Sequence, residues 1–266
     1  MDTEKLRYTL ESLKCRVGSI TEKIRSALGI KEAPLRCSAV ILAAGSSVRM
    51  GRDKVEILTG GEPVVARTVR AFEESELIDE IVLVTREDRV EELAGVVSAQ
   101  GFKKIKSVVA GGKTRQDSSL AGVLAVNPKA KLIAIHDCAR PFVTQKIIQD
   151  TVRAAHESYA ALPVIACSDT MKIKDGNFLG DTVDRDRLCR VQTPQVFRSD
   201  LIKGALTYVV KNHLPVTDDS SALAYLGFRT RAVQGDPDNI KLTTPEDMFF
   251  AEAIIGKRQS LSGVTA

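Results

Sequence analysis

Leu42-Ala43-Ala44-Gly45-Ser46-Ser47-Val48-Arg49-Met50-Gly51 is the stretch that decides the fold: it follows an apolar run at 39–42 and leads into the cations Arg49, Arg52 and Lys54. A strand that breaks into a loop of small residues is built to hold phosphate. Small side chains let backbone N–H groups approach an anion, Gly45 permits the sharp turn, and the cations supply countercharge. The loop has neither the Gly-Lys-Ser/Thr ending of a P-loop nor the third glycine of the dinucleotide fingerprint. No Gly-x-Ser-x-Gly elbow surrounds Ser46 or Ser47, so both read as phosphate contacts rather than nucleophiles.

Outward from the loop, short apolar runs alternate with helical spacing. Residues 39–42, 81–85, 107–109, 132–136 and 162–166 read as strands, and 63–72, 90–99, 118–126 and 144–159 as helices, with Thr144 as an N-cap. Strands separated by helices need crossover connections, which predicts an α/β fold with a doubly wound, mostly parallel, Rossmann-like sheet. Ligands then gather at the carboxyl ends of its strands. The regularity breaks over 170–179, where alternating side chains flank Asp175-Gly176. That pattern predicts a β-hairpin within an arm at about 169–190, which either packs on a partner or edges its own sheet.

Residues 1–36 form a separate N-terminal unit and linker, and 37–266 the main domain. In the first unit Leu6, Leu10, Leu13, Val17, Ile20 and Ile24 recur at heptad-like steps. This amphipathic helix lies on its own domain or makes a short coiled coil. With 266 residues, 44% of them hydrophobic, the chain can bury a substantial core. Its net charge of +4 is spread along the sequence, which argues against a nucleic-acid partner. Five cysteines without a C-x-x-C pair read as reduced thiols. No apolar run approaches the roughly 20 residues of a membrane span, and the start has no signal core, so a cytoplasmic protein is expected.

Beyond the loop, His136-Asp137-Cys138-Ala139-Arg140-Pro141 closes an apolar run. An acid at the carboxyl end of a strand faces the crevice, and its hard oxygens suit Mg²⁺. Asp137 and Arg140 also fit a plain ion pair that fixes a loop. His136 reads as structural, as do His156 and His213, which lack partners at ligand spacing. Gly111-Gly112-Lys113-Thr114-Arg115-Gln116-Asp117-Ser118, Asp184-Arg185 and Asp238-Asn239-Ile240-Lys241-Leu242-Thr243 add further basic and hydroxyl groups.

The loop alone resembles that of sugar-nucleotide pyrophosphorylases and related nucleotidyltransferases. A longer ordered set is more specific. It runs from Ala43-Ala44-Gly45 to Lys54, through Gly111-Gly112 with Arg115 to Gly122, the His136 segment, Asp169-Thr170-Met171-Lys172 and Thr182-Val183-Asp184-Arg185. Gln192-Thr193-Pro194-Gln195, Thr217-Asp218 with Ser221-Ala222, and the Asp238 segment complete it. Over about 38–255 the chain resembles the 2-C-methyl-D-erythritol 4-phosphate cytidylyltransferase family.

That resemblance implies transfer of CMP from CTP to methylerythritol phosphate, with release of pyrophosphate, in non-mevalonate isoprenoid synthesis. It implies that Ala43, Ala44, Gly45, Gly112 and Ser118 receive the cytidine part of CTP, and that Arg49, Lys54 and Lys241 are the catalytic cations around its phosphates. Asp137 is implied at the Mg²⁺ and nucleotide site, and Thr170, Asp184, Arg185 and Thr217 at the polyol phosphate. A homodimer is implied, with the arm crossing to its partner. Two other expectations stay open: a cytidylyltransferase for ribitol phosphate or another polyol phosphate, and an inactive scaffold, against which Lys54, Asp137 and Lys241 argue.

Overall fold

The protein is described here by a computed structural model over residues 36–45 and 57–263. The helix expected within 1–36 therefore lies outside the described residues. In chain order the strands are β1 (Cys37–Leu42), β2 (Leu58–Thr59), β3 (Glu62–Pro63), β4 (Ile78–Thr85), β5 (Ile105–Ala110), β6 (Leu132–Asp137), β7 (Ala160–Ala166), β8 (Met171–Asp175), β9 (Phe178–Val183), β10 (Cys189–Val191), β11 (Gln195–Arg198) and β12 (Arg231–Gln234). The helices are α1 (Val64–Glu73), α2 (Val90–Ser98), α3 (Arg115–Ala125), α4 (Gln145–Ser158), α5 (Ser199–Lys211), α6 (Asp219–Tyr225) and α7 (Asp247–Gly263).

β1 lies between β4 and β6 and parallel to both, and β5 extends this parallel block beyond β4. Past β6 the expected parallel order changes. β11 runs antiparallel between β6 and β7, β10 pairs antiparallel with the same edge of β7, and β12 runs parallel along the other edge. The sheet is thus mostly parallel with an antiparallel insertion.

Alternation along the central strands explains why helices cover both faces. Cys37, Ala39 and Ile41 of β1 point into one core with Val69 of α1, Leu93 of α2 and Ile148 of α4. Val40, between them, joins the other core with Val123 of α3, Ile202 of α5 and Leu223 of α6. Each fully buried Ile or Leu contributes roughly 1.5–3 kcal/mol, so these two layers hold the central strands firmly in place. Gly122 allows α3 to sit close against the sheet, because a Cβ there would lie 2.3 Å from Val40 Cγ1 and 2.7 Å from Val84 Cγ2.

Thr144 caps α4 as its sequence predicts, its Oγ1 accepting the Ile147 N–H at 3.3 Å. The start of α3 differs from expectation by three residues, for a local reason. Thr114 Oγ1 accepts the Asp117 N–H at 3.2 Å while Asp117 Oδ2 accepts the Thr114 N–H at 3.0 Å, a reciprocal capping box that begins the helix at Arg115. The predicted hairpin is present as β8 and β9, joined at Gly176-Asn177 in a two-stranded sheet of its own. It is shorter than the expected arm, since β10 has already returned to the main sheet.

Candidate active site

Strand order reverses beside β1: the chain runs from β1 to β4 and β5 on one side, then returns as β6 on the other. Doubly wound sheets open a ligand crevice at such a point. Backbone bonds tie the strand ends there, with Ala43 N–H donating to Val84 O at 2.7 Å, Gly111 N–H to Thr85 O at 2.7 Å, and Cys138 N–H to Leu42 O at 3.0 Å. Ala43, Ala44 and Gly45 leave β1 at this rim. A Cβ on Gly111 would lie 3.1 Å from Ala44 Cβ, and one on Gly112 would lie 2.3 Å from Asp117 Cβ. Only glycine fits this crossing of the two loops. Ser118 Oγ accepts the Gly112 N–H at 3.2 Å and donates to Thr114 O at 3.0 Å, which fixes the turn. Ala44, Gly112 and Ser118, expected together, are together.

Asp137 ends β6 between two cations. Its Oδ2 lies 2.7 Å from Lys241 Nζ and its Oδ1 lies 3.5 Å from Arg115 Nη2. Burial works against the Asp137 charge, yet Lys241 and Arg115, with a smaller pull from Arg140, outweigh it and hold the carboxyl well below the usual range. Arg115 also meets Asp219 Oδ2 at 2.8 Å. Burial disfavours its charge, but Asp219 and then Asp137 more than restore it, raising the guanidinium above its ordinary value. The plain ion pair between Asp137 and Arg140, the alternative reading of this segment, is absent from the described contacts. Arg140 instead donates through Nη1 to Asn239 O at 2.8 Å, fastening the Lys241 segment to the end of β6.

Among the described residues no group of three or more His, Cys, Asp or Glu gathers to hold a metal ion. Asp137 is a single hard carboxylate in a crevice, and such a donor fits Mg²⁺, which keeps several waters and takes the rest of its shell from nucleotide phosphates.

The motif from Gln192 to Gln195 braces this arrangement. Gln192 Nε2 donates to Asp236 O at 2.8 Å, and Asn239 Nδ2 donates to Thr193 O at 3.0 Å. Gln195 Nε2 donates to Asp218 Oδ2 at 2.8 Å, and Asp218 Oδ1 caps α6 by accepting the Ser221 N–H at 2.9 Å. Thr193 Oγ1 accepts the Asp137 N–H at 3.2 Å and faces His136 Nδ1 at 2.9 Å, while His136 Nε2 faces Arg140 O at 3.1 Å. Only the tautomer with its proton on Nε2 satisfies both ring contacts.

His136 is thus a neutral structural bracket, and burial pushes its pKa down from 6.5 to about 4. The unfolded chain takes up this proton first, so stability should fall as pH drops from about 6.5 towards 4, by about 3 kcal/mol if this group acts alone. Denaturant titrations at stepped pH check this. The slope should flatten in His136→Gln, and an unchanged slope would assign it to other groups.

Thr170, Asp184, Arg185 and Thr217 do not join the cluster among the described contacts. Arg185 Nη1 donates to Ser168 O at 3.1 Å, and Asp184 Oδ1 accepts the Asp186 N–H at 3.1 Å. Among the described contacts nothing links these two, or Thr170, to Asp137 or Lys241. Thr217 is exposed beside α6, its Oγ1 3.4 Å from Ser221 Oγ. Arg49 and Lys54 lie outside the described residues. Asp219 is a functional candidate that sequence reasoning did not single out, while Arg115 and Arg140 stood within quoted motifs without a role at the nucleotide site. The signal for Arg115 was its place at the first turn of a capped helix next to the glycine pair.

A small-residue loop, a glycine turn and a cation-flanked carboxylate at the switch point define a nucleotide-binding α/β protein of the nucleotidyltransferase class. The family model for 2-C-methyl-D-erythritol 4-phosphate cytidylyltransferase matches residues 37–257. A relative of that name from Halalkalibacterium halodurans is 40% identical over 224 residues, covering 84% of this chain and 98% of its own. The solved 4-diphosphocytidyl-2C-methyl-D-erythritol synthase of Anaerococcus prevotii superposes with a TM-score of 0.76 at 32% identity, over 85% of this chain and all of that one (100%). The 2-C-methyl-D-erythritol 4-phosphate cytidylyltransferase of Thermus thermophilus gives 0.68 at 29% identity, over 81% and 97%. The chain belongs to the 2-C-methyl-D-erythritol 4-phosphate cytidylyltransferase family.

Proposed function

We propose that the protein transfers CMP from CTP to 2-C-methyl-D-erythritol 4-phosphate and releases pyrophosphate, a step of non-mevalonate isoprenoid precursor synthesis. The observation that carries this reading is Asp137, set between Lys241 and Arg115 at the switch point where Ala43 to Gly45 leave β1. An oxygen of the substrate phosphate attacks the α-phosphorus of CTP, a new P–O bond forms in line, and the bond to the β-phosphate breaks. The attacking group is already an anion, so it needs no base, which agrees with a buried neutral His136. Catalysis rests on positioning and on cations that meet the growing negative charge. Lys241, with Arg49 and Lys54, supplies them. Ala43, Ala44, Gly45, Gly112 and Ser118 seat the nucleoside. Asp137 would hold Mg²⁺, which neutralises phosphate charge when bound.

Thr170, Asp184, Arg185 and Thr217 are assigned to the polyol phosphate, with Thr170 and Arg185 acting in the partner's site of a homodimer. What supports the dimer is the arm: among the described residues β8 and β9 pair only with each other, and Phe178 and Leu179 are 81% and 72% exposed. A lone two-stranded hairpin is marginal in water, and exposed apolar side chains at its tip mark an interface. A cytoplasmic setting is supported by Cys37, Cys167 and Cys189, which form no disulfide among the described residues. No described helix is long and apolar enough to cross a membrane.

The test is pyrophosphate release from CTP and Mg²⁺ with each candidate acceptor. Methylerythritol phosphate should give pyrophosphate and the CDP-alcohol in equal amounts. Turnover of ribitol phosphate alone would replace this reading with a polyol cytidylyltransferase of another specificity.

A further inference from the structure

Asp219 opens α6, is 1% exposed, and presents two unlike oxygens. Oδ2 accepts from Arg115 Nη2 at 2.8 Å, while Oδ1 is buried with no hydrogen-bond partner among the described residues. Buried polar atoms are nearly always paired, and one that is not calls for a state of the site in which a donor reaches it. The donor at hand is Arg115. Its guanidinium is a planar fork suited to grip a carboxylate with two parallel bonds, yet here a single nitrogen, Nη2, spans two acids.

We propose that Asp219 is a positioning residue of the nucleotide site, a second seat onto which Arg115 turns with both carboxylate oxygens engaged, leaving Asp137 Oδ1 to a divalent cation. The inference rests on the nucleotide reading of the site. The contact given up is the weak one, 3.5 Å to Asp137 against 2.8 Å to Asp219. Oδ2 of Asp137 has a partner of its own in Lys241 at 2.7 Å. A ligand can shift such an equilibrium only by what it gains in one arrangement, and here that gain is the freed oxygen. Without Asp219 the guanidinium would lean on Asp137 and compete with the cation for it.

Calorimetric titration with CTP, once with Mg²⁺ and once with EDTA, tests this on the full-length protein. Asp219→Asn should lose about tenfold or more of the affinity gained through Mg²⁺, the range seen when the support of a metal ligand is removed, with less than about twofold change in EDTA. The double variant Arg115→Gln, Asp219→Asn should regain that affinity, because no guanidinium then competes for Asp137. An Asp219→Asn variant that binds as tightly as the native protein overturns the proposal, and so does a double variant as weak as the single one. If Asp219→Asn fails to fold, a crystal structure of the native protein with CTP and Mg²⁺ decides: Arg115 should hold both oxygens of Asp219, and a retained contact to Asp137 overturns it. Native CTP affinity that ignores Mg²⁺ likewise overturns the proposal, whereas native protein that binds no CTP in either titration removes the nucleotide reading beneath it.

Discussion

Lys241→Ala is expected to lower kcat/KM for CTP by about 10²-fold or more, the usual loss when a charge contact to the transition state is removed. The Lys241 side chain is 38% exposed and meets Asp137 at 2.7 Å on the crevice side, so the substitution leaves no cavity in either core. Asp137 retains only the weaker Arg115 contact at 3.5 Å, so the melting temperature should fall as well, and rates are compared well below it. Lys241→Arg keeps the charge but spreads it over a planar fork, so it should recover only part of the lost rate. Steady-state kinetics over a CTP series separates a loss in kcat from one in KM. A fall in kcat places the ammonium on the reacting phosphates, whereas near-native turnover would place it outside the reaction.

Local signals made the central sheet and half of the site readable in advance. Short apolar runs in β1 and β6 announce strands buried on both faces, and the ends of those strands mark the crevice and Asp137, while the places of Ala44, Gly112 and Ser118 in it came from the family resemblance. The antiparallel insertion carries no such signal. β10 is three residues long, and β12 has exposed polar ends, Arg231 and Gln234, that read as loop. What joins Arg115 to Asp219 is a contact across 104 residues of chain, and Gln192 reaches Asp236 across 44. Pattern along a sequence records which face a side chain takes, not which distant acid it meets there. Arg49 and Lys54 stand in the reverse position, singled out by sequence and lying outside the described residues.

The largest expected effect concerns the arm. Arg185 sits just beyond β9 and spends its described hydrogen bond on the Ser168 carbonyl at 3.1 Å, away from the Asp137 cluster of its own chain. If the hairpin carries it into a partner's crevice, Arg185→Ala and Lys54→Ala should each be nearly inactive alone. Their co-expression should restore activity. In a two-fold dimer with shared sites, one mixed molecule places both defects in a single site and leaves the other intact. Random pairing makes about half of the dimers mixed, each with one working site in two, so recovery near one quarter of native activity is expected for independent sites. Differently tagged copies, purified over both tags, should raise that figure towards about one half, because every molecule is then mixed. Doubly tagged dimers that stay inactive would return Arg185 to its own subunit, and the exposed Phe178 and Leu179 would then mark a contact that joins two complete sites rather than building each from two chains.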